Sequence, residues 1–269
     1  MKNYILKTND DGSTVTVRDV QLVLLDILKD IDALCRTYEI PYWLTGGSCL
    51  GAVRHKGFIP WDDDADIGMM REDYERFLHV CHELGDGYCC QSIETHREYN
   101  VVIPAMKIRK KGTYVEENNS LLKNRCKDSD GLFIDVFVVD YVSEDKVSDF
   151  GWRMKNGLLL PVLVALDNLH IPSYALKKKY VKNAVAYGKR NRKSRLIGYD
   201  LTWCFDSFFH PVVYPKKSVF PLQYVPFEDT YLPIPHDPDP LLRAEVAENY
   251  MSFPPEKDQV PKHIKDIKL

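Results

Sequence analysis

The chain has 269 residues, 45% of them hydrophobic and 28% charged, with a formal net charge of −3. That is an ordinary globular balance, long enough for one large or two small domains and for a core that needs no disulfide or metal staple. It gives no general reason to bind polyanions. No stretch approaches the roughly 18 apolar residues of a membrane span; the nearest, residues 157–166, is interrupted by Pro161. The N-terminal MKNYILKTNDDGS carries acids and lacks the apolar segment of a secretory signal, so a cytoplasmic protein is expected. Seven cysteines at irregular spacings read as free thiols in a reducing compartment. Cys81, Cys89 and Cys90 lie near His79, His82 and His96 in the chain. The paired C-x2-C spacing of zinc sites is absent, so half-buried thiols are the preferred reading.

In chain order, Val20, Val23, Leu24, Ile27, Leu28, Ile31 and Leu34 mark one face of a helix that ends before Pro41. Tyr42–Leu44 reads as a short strand running into Gly46-Gly47-Ser48, and residues 48–55 as a short helix. A strand is expected at 66–70. Tyr74, Phe77, Leu78, Cys81 and Leu84 give a further helix, with Glu72 and Asp73 in its first turn. Residues 105–109 and 113–116 suggest two strands joined by a turn at Gly112. The apolar run 132–139 has the pattern of a central strand covered on both faces. The core is therefore α/β or α+β, with a mostly helical region behind it. Residues 1–145 are assigned to the core, and 146–269 to a basic helical region and a proline-rich tail packed on it. Twelve Lys and Arg against three acids lie between residues 146 and 200, and eleven of the sixteen prolines follow residue 210.

The densest chemical signal is Trp61-Asp62-Asp63-Asp64-Ala65-Asp66-Ile67-Gly68. Crowded carboxylates repel one another, and a divalent cation is the natural counter-charge. On an extended chain Asp64 and Asp66 share a face and can share a hard cation such as Mg2+. A calcium loop of the EF-hand kind fails, because Ile67 stands where glycine is required and Asp73 where glutamate is. Gly46-Gly47-Ser48, between strand and helix, offers backbone N–H groups to phosphate. It is neither a Walker loop nor a serine-nucleophile elbow, since Ala52-Val53 follows Gly51 and Leu50 replaces the last glycine of the elbow. Asp135 stands alone inside the apolar run and needs a metal, a cation or a dense set of hydrogen bonds. Arg54, Lys56 and Lys107 are candidate phosphate ligands, Arg54 as a bidentate clamp and the lysines as point charges.

Strand, Gly-Gly-Ser, helix, then Asp-x-Asp on a strand and one more strand Asp is the layout of the nucleotidyltransferase fold. The stretch LTGGSCLGAVRHKGFIPWDDDADIGMMREDYERF (44–77) resembles the LicD family of phosphocholine transferases, to which fukutin-related proteins are also similar. GLFIDVFVVD (131–140), YLPIP (231–235) and ENYMSFPP (248–255) resemble further motifs of that family, although Glu248-Asn249-Tyr250 departs from its usual Tyr-Gly. The resemblance implies Mg2+, or Mn2+ in its place, held by Asp64, Asp66 and Asp135, with Gly46, Gly47 and Ser48 along the phosphates. It implies transfer of phosphocholine from CDP-choline to a sugar hydroxyl of a teichoic acid or polysaccharide precursor, releasing CMP. Transfer of another CDP-linked alditol phosphate (ribitol or glycerol), or a metal-dependent Asp-x-Asp glycosyltransferase, is the alternative. Asp62 and Asp63 are read as supporting the turn. Trp61, Tyr99 and Tyr114 are among the aromatics that could face a quaternary ammonium. The basic runs at 177–179 and 189–195 suggest a platform for an anionic or lipid-linked glycan acceptor at the inner leaflet. No nucleic-acid motif accompanies them.

Overall fold

The structure, a computed structural model, describes residues 4–100, 104–119, 124–199 and 210–269; Cys204 and Asp200 lie outside them. A hairpin of β1 (Ile5–Thr8) and β2 (Thr14–Thr16) leads into α1 (Val17–Thr37). The helix starts on a capping box, in which the Asp19 N–H donates to Thr16 Oγ1 and the Thr16 N–H donates to Asp19 Oδ2 at 2.8 Å. Its apolar face is buried from Val20 to Ile31, with Val23 half-buried at its edge. Beyond Thr37 the chain turns through a left-handed Glu39 (φ 51°) into Ile40 and Pro41, which cannot continue the helix.

There follow β3 (Trp43–Leu44), α2 (Gly46–His55), β4 (Asp66–Met70), α3 (Arg71–Val80), β5 (Tyr88–Ser92), β6 (Met106–Lys110), β7 (Tyr114–Glu117) and β8 (Phe133–Tyr141). β8 is the axis of a seven-stranded mixed sheet. β4 runs parallel along one edge of β8. The other edge is shared by β6, against residues 133–136, and β9 (Leu196–Tyr199), against residues 139–141. β3, β5 and β10 (Val213–Pro215) extend the sheet beyond β4, β6 and β9. With α1, α3 and the later helix Tyr174–Arg190 packed against it, β8 is covered as its apolar run predicts. The fold is α+β with a mixed sheet. The sheet crosses residue 145, because β9 and β10 come from the later part of the chain.

Helices α4 (Lys146–Gly157), α5 (Leu160–Asn168) and α6 (Tyr174–Arg190) form the basic region. The run 157–166 is split between the end of α4 and α5. Leu160 and Leu163 are buried beside Tyr99 and Tyr180, whereas Leu158 is 69% exposed. Lys177 is no part of a basic platform: it is 2% exposed and paired with Asp167 at 2.8 Å. Among the described residues no helix is long and apolar enough to cross a membrane.

Three local expectations change. The helix α2 starts at Gly46 rather than Ser48, Gly46 itself being left-handed (φ 54°). β6 and β7 are strands but not a hairpin: β5 and β8 occupy both edges of β6, and β7 pairs with β13 (Ile264–Lys268) at the far end of the chain. The proline-rich tail, expected within a mostly helical region, carries strands. After the short α7 (Lys216–Val219), β11 (Gln223–Phe227) and β12 (Thr230–Ile234) form a hairpin, followed by α8 (Asp239–Glu245). Pro226 and Pro233 sit inside these strands, which is tolerated in a two-stranded pair because each strand has a free edge that needs no N–H.

The basic region docks through Gly188 of α6, where a Cβ would lie 2.0 Å from Asp140 Oδ1. Asp140 is itself buried and paired with Arg71 Nε at 3.0 Å. Gly188→Ala should therefore force the helix off the sheet or disturb that pair. The expected cost is about 1–3 kcal/mol, read as a lower urea midpoint with an unchanged slope.

Candidate active site

The sheet register assembles the acids. β4 and β8 pair so that Asp66 stands opposite Asp135, and β6 pairs on the other edge so that Lys107 stands opposite Asp135. Directly opposed residues project from the same face of a sheet, so three adjacent strands present Asp66, Asp135 and Lys107 in a row. The Lys107 ammonium, 3% exposed, lies 2.8 Å from Asp135 Oδ1 and 3.1 Å from Glu117 Oε2. It hydrogen-bonds Asp135 Oδ2 at 3.2 Å and sits 3.4 Å over the Phe133 ring. Glu117 also accepts from Arg109 Nη2 at 2.7 Å.

The acidic run before β4 divides its labour. Asp63 is 2% exposed and turns away from the others. Its carboxylate accepts the backbone N–H groups of Lys262, His263 and Ile264 at 2.9–3.2 Å, the supporting role expected of it. This clamp brings His263 Nδ1 to 3.2 Å from Asp64 Oδ2. Asp62, read as supporting too, instead points at the same place as Asp64. One ligand atom from each of Asp62, Asp64 and His263 lies within 4.8 Å of the others.

Burial pushes the carboxyls of Asp62 and Asp66 well above the usual range, and like-charged Asp64 adds to both. Asp64 is raised by burial against the pull of His263. Burial pushes Asp135 up to about 6 against the pull of Lys107. These side chains still reach solvent, with Asp64 18% and Asp135 14% exposed, so an ion has a way in. Asp135 Oδ1 is buried without a hydrogen bond, Lys107 being close but poorly aligned to it. Negative charge here exceeds what Lys107 and His263 balance. The donors are hard carboxylate oxygens, which suits Mg2+ or Mn2+.

The glycine turn is fitted to these acids. A Cβ on Gly47 would lie 2.7 Å from Asp62 Oδ2, and one on Gly46 3.4 Å from Asp66 Oδ2. Ser48 Oγ accepts the Asp66 N–H at 2.9 Å, so the serine holds the start of β4. The Gly46 N–H donates to Glu245 Oε2 at 2.7 Å, as does Thr45 Oγ1 at 2.6 Å. Burial pushes Glu245 up to about 7, against the pull of the hydrogen bonds it accepts from Thr45 and Gly46. The turn thus packs the N-terminus of α2 against the carboxylates, where its dipole favours negative charge.

The structure brings Gly46, Gly47, Ser48, Asp64, Asp66, Lys107 and Asp135 together. Arg54 stands at the rim, near enough to feel the Asp62 charge. Its Nη1 donates to the carbonyls of Tyr250 and Ser252 at 2.9 and 3.2 Å, and its guanidinium lies over Phe253. Lys56 is exposed at the left-handed end of α2. Tyr99 is core packing, its hydroxyl donating to the Pro104 carbonyl. Trp61 packs edge-on with His55 and beside Phe253. Sequence reasoning missed Glu117, His263 and Glu245. Glu117 could have been sought as the partner that a buried Lys107 requires; the other two carry no local signal.

Gly47→Ala should displace Asp62 and lower divalent-cation affinity about 10–100-fold, a typical cost of disturbing a ligand's support, measured by Mn2+ titration. Glu245 gives a pH test. Its folded pKa is raised above the ordinary carboxyl value of 4.5 to about 7. The folded state then binds more protons between those values, and its stability falls as pH rises through them. Glu245→Gln keeps an acceptor for Thr45 and Gly46 and removes the titration. The variant should gain stability over the parent as pH goes from 5 to 8, by an amount of order 3 kcal/mol, read from denaturation midpoints.

Residues 39–157 match the family described as "LicD/FKTN/FKRP, nucleotidyltransferase domain". The chain is 28% identical, over 94% of its length and 97% of the relative's, to the lipopolysaccharide cholinephosphotransferase LicD of Haemophilus influenzae. Shorter matches reach the human ribitol 5-phosphate transferase FKRP, 59% identical over 34 residues, and the mouse ribitol-5-phosphate transferase FKTN, 44% identical over 77 residues. These cover 7% and 15% of those longer proteins. With strand acids and glycine turn in agreement, residues 39–157 form a nucleotidyltransferase domain of the kind that the LicD/FKTN/FKRP description names, and the chain is similar to a transferase over nearly its whole length.

Proposed function

We propose that this enzyme transfers phosphocholine from CDP-choline to a sugar hydroxyl of a cell-surface glycan precursor, releasing CMP. The observation that carries the reading is the row of Asp66, Asp135 and Lys107 on three adjacent strands, with Asp62 and Asp64 beside it. The relative that spans nearly the whole chain is named a cholinephosphotransferase, which favours choline over ribitol. Teichoic acid and lipopolysaccharide are both acceptors of the required kind.

In this reading Asp64, Asp66 and Asp135 hold Mg2+ or Mn2+, with Asp62 close enough to join them. When bound, the cation neutralises the donor pyrophosphate and favours the attacking hydroxyl as alkoxide. The protein's own residues do the rest. Lys107 and Glu117 fix the orientation of Asp135. Ser48 fixes the first residue of β4, and so the backbone of Asp66. Gly46 and Gly47 allow the N-terminus of α2 to lie against the phosphate-binding end of the sheet. Trp61, next to Asp62 along the chain, and Phe253, packed beside Trp61, offer ring faces to a quaternary ammonium. One face of Phe253 is already taken by Arg54. The exposed Lys178, Lys179, Lys189 and Lys193 remain for an anionic or lipid-linked acceptor.

The test is to incubate the protein and Mg2+ with CDP-choline, CDP-ribitol, CDP-glycerol and UDP-sugars and to follow nucleotide release. CMP from CDP-choline is expected in preference to the others, with loss of turnover in Asp64→Asn and Asp66→Asn at unchanged circular dichroism. UDP release would move the enzyme to the glycosyltransferases. Full activity in either Asn variant would remove the proposed ligation.

A further inference from the structure

Outside the carboxylate site, three metal-ligating side chains of different kinds converge. Cys89 Sγ on β5 donates to Asp128 Oδ2, and His96 Nε2 lies 2.9 Å from the same oxygen. One ligand atom of each residue lies within 4.8 Å of the other two. We propose that Cys89, His96 and Asp128 form a site for a thiophilic divalent cation, Zn2+ by the chemistry of its donors.

The surroundings are built as such sites require. A ligating imidazole has its other nitrogen held by a neighbour, which sets the tautomer. Here Thr95 Oγ1 is 2.8 Å from His96 Nδ1. The threonine proton has the carbonyls of Cys90 and Ser92 to go to, at 2.9 and 3.2 Å, and its oxygen, which accepts the Ser92 N–H at 3.0 Å, has a second lone pair for Nδ1–H. That assignment leaves the Nε2 lone pair facing the cluster. Asp128 is oriented in the same way: its Oδ1 accepts from Gln91 Nε2 at 2.6 Å, leaving Oδ2 for Cys89 and His96. Gln91 is fully buried and is held in turn by Arg109 Nε at 2.8 Å. Cys89 is 9% exposed, while the side chains of His96 and Asp128 are 20% and 37% exposed. The cation has a path in, and its fourth position is left to water.

Binding exchanges protons for metal. Zn–S, Zn–N and Zn–O bonds form; the Cys89 thiol proton, and any proton on His96 Nε2, leave to solvent; no electron moves. Without metal, the thiol and an imidazole nitrogen crowd one carboxylate oxygen. With it, the turn after β5 is tied to the segment that leads into β8. A continuous series of polar contacts connects this clamp to the active site: Asp128 to Gln91, Gln91 to Arg109, Arg109 to Glu117, Glu117 to Lys107, and Lys107 to Asp135.

The site is separable from the Mg2+ site because only it contains sulfur. The full chain is stripped with chelator, supplied with excess Mg2+ to fill the carboxylates, and titrated with Co2+ and Zn2+. A sulfur-to-cobalt charge-transfer band is expected in the parent and in Asp64→Asn and Cys126→Ser, and is expected to vanish in Cys89→Ser. His96→Ala and Asp128→Asn should lower Zn2+ affinity at least about tenfold. Zn2+ should raise the melting temperature of the parent and not that of Cys89→Ser, the two being alike without metal. No charge-transfer band in the parent, or a band that survives in Cys89→Ser, would overturn the site. Either result leaves the reading of the carboxylate site untouched.

Discussion

Negative charge crowded onto the end of one parallel strand pair is the constraint to which the rest of this molecule answers. Asp66 and Asp135 face each other across adjacent strands, about 4.8 Å apart in backbone spacing. Two like charges at such a distance repel by roughly 4 kcal/mol at the effective dielectric of a protein surface, and Asp62 and Asp64 add to them. Several features read as responses to that repulsion. The carboxyl pKa values are raised, Lys107 is drawn almost wholly out of water, and the N-terminus of α2 is packed against the acids without a single Cβ between. A stable fold has no need of such crowding, and the proposed divalent cation would relieve it.

The second theme is closure of the chain on itself. Asp63 spends its whole carboxylate on backbone N–H groups about two hundred residues away, and so sets His263 beside Asp64. Glu245 holds the first N–H of the glycine turn from α8, and Arg54 grips the carbonyls of Tyr250 and Ser252. β13 completes the pairing of β7, the strand that carries Glu117. The site is therefore shared between the first 140 residues and the last 25, although the clustered carboxylates Asp62, Asp64, Asp66 and Asp135 all come from the first part. Truncating the tail would remove structure from the centre of the site as well as from its rim.

The helical insert between β8 and β9 stands apart from this closure. It packs through its own small apolar cluster and through Gly188, and it leaves Leu158 and several lysines in solvent. Its charge is partly internal: Arg153 and Lys177 are buried in pairs with Asp149 and Asp167. A tally of basic residues along the chain overstates the free positive surface, because sequence cannot tell a paired lysine from a solvated one.

Elements with a strong period were legible from residues alone. So were α1, the strand at Asp66–Met70 and the buried strand around Asp135, and with them the acids and the glycine turn, because local patterning and an isolated charge in an apolar run have few physical solutions. The C-terminal strands were hidden by their prolines, and the turn at Gly112 suggested a hairpin because local geometry permits one. Which edges a strand leaves open depends on distant segments, and that only the tertiary structure decides. The same holds for Glu117, His263, Glu245 and Asp128. Each is an ordinary polar residue in sequence, and each acquires its role only when strand register and chain closure bring a partner within hydrogen-bonding reach.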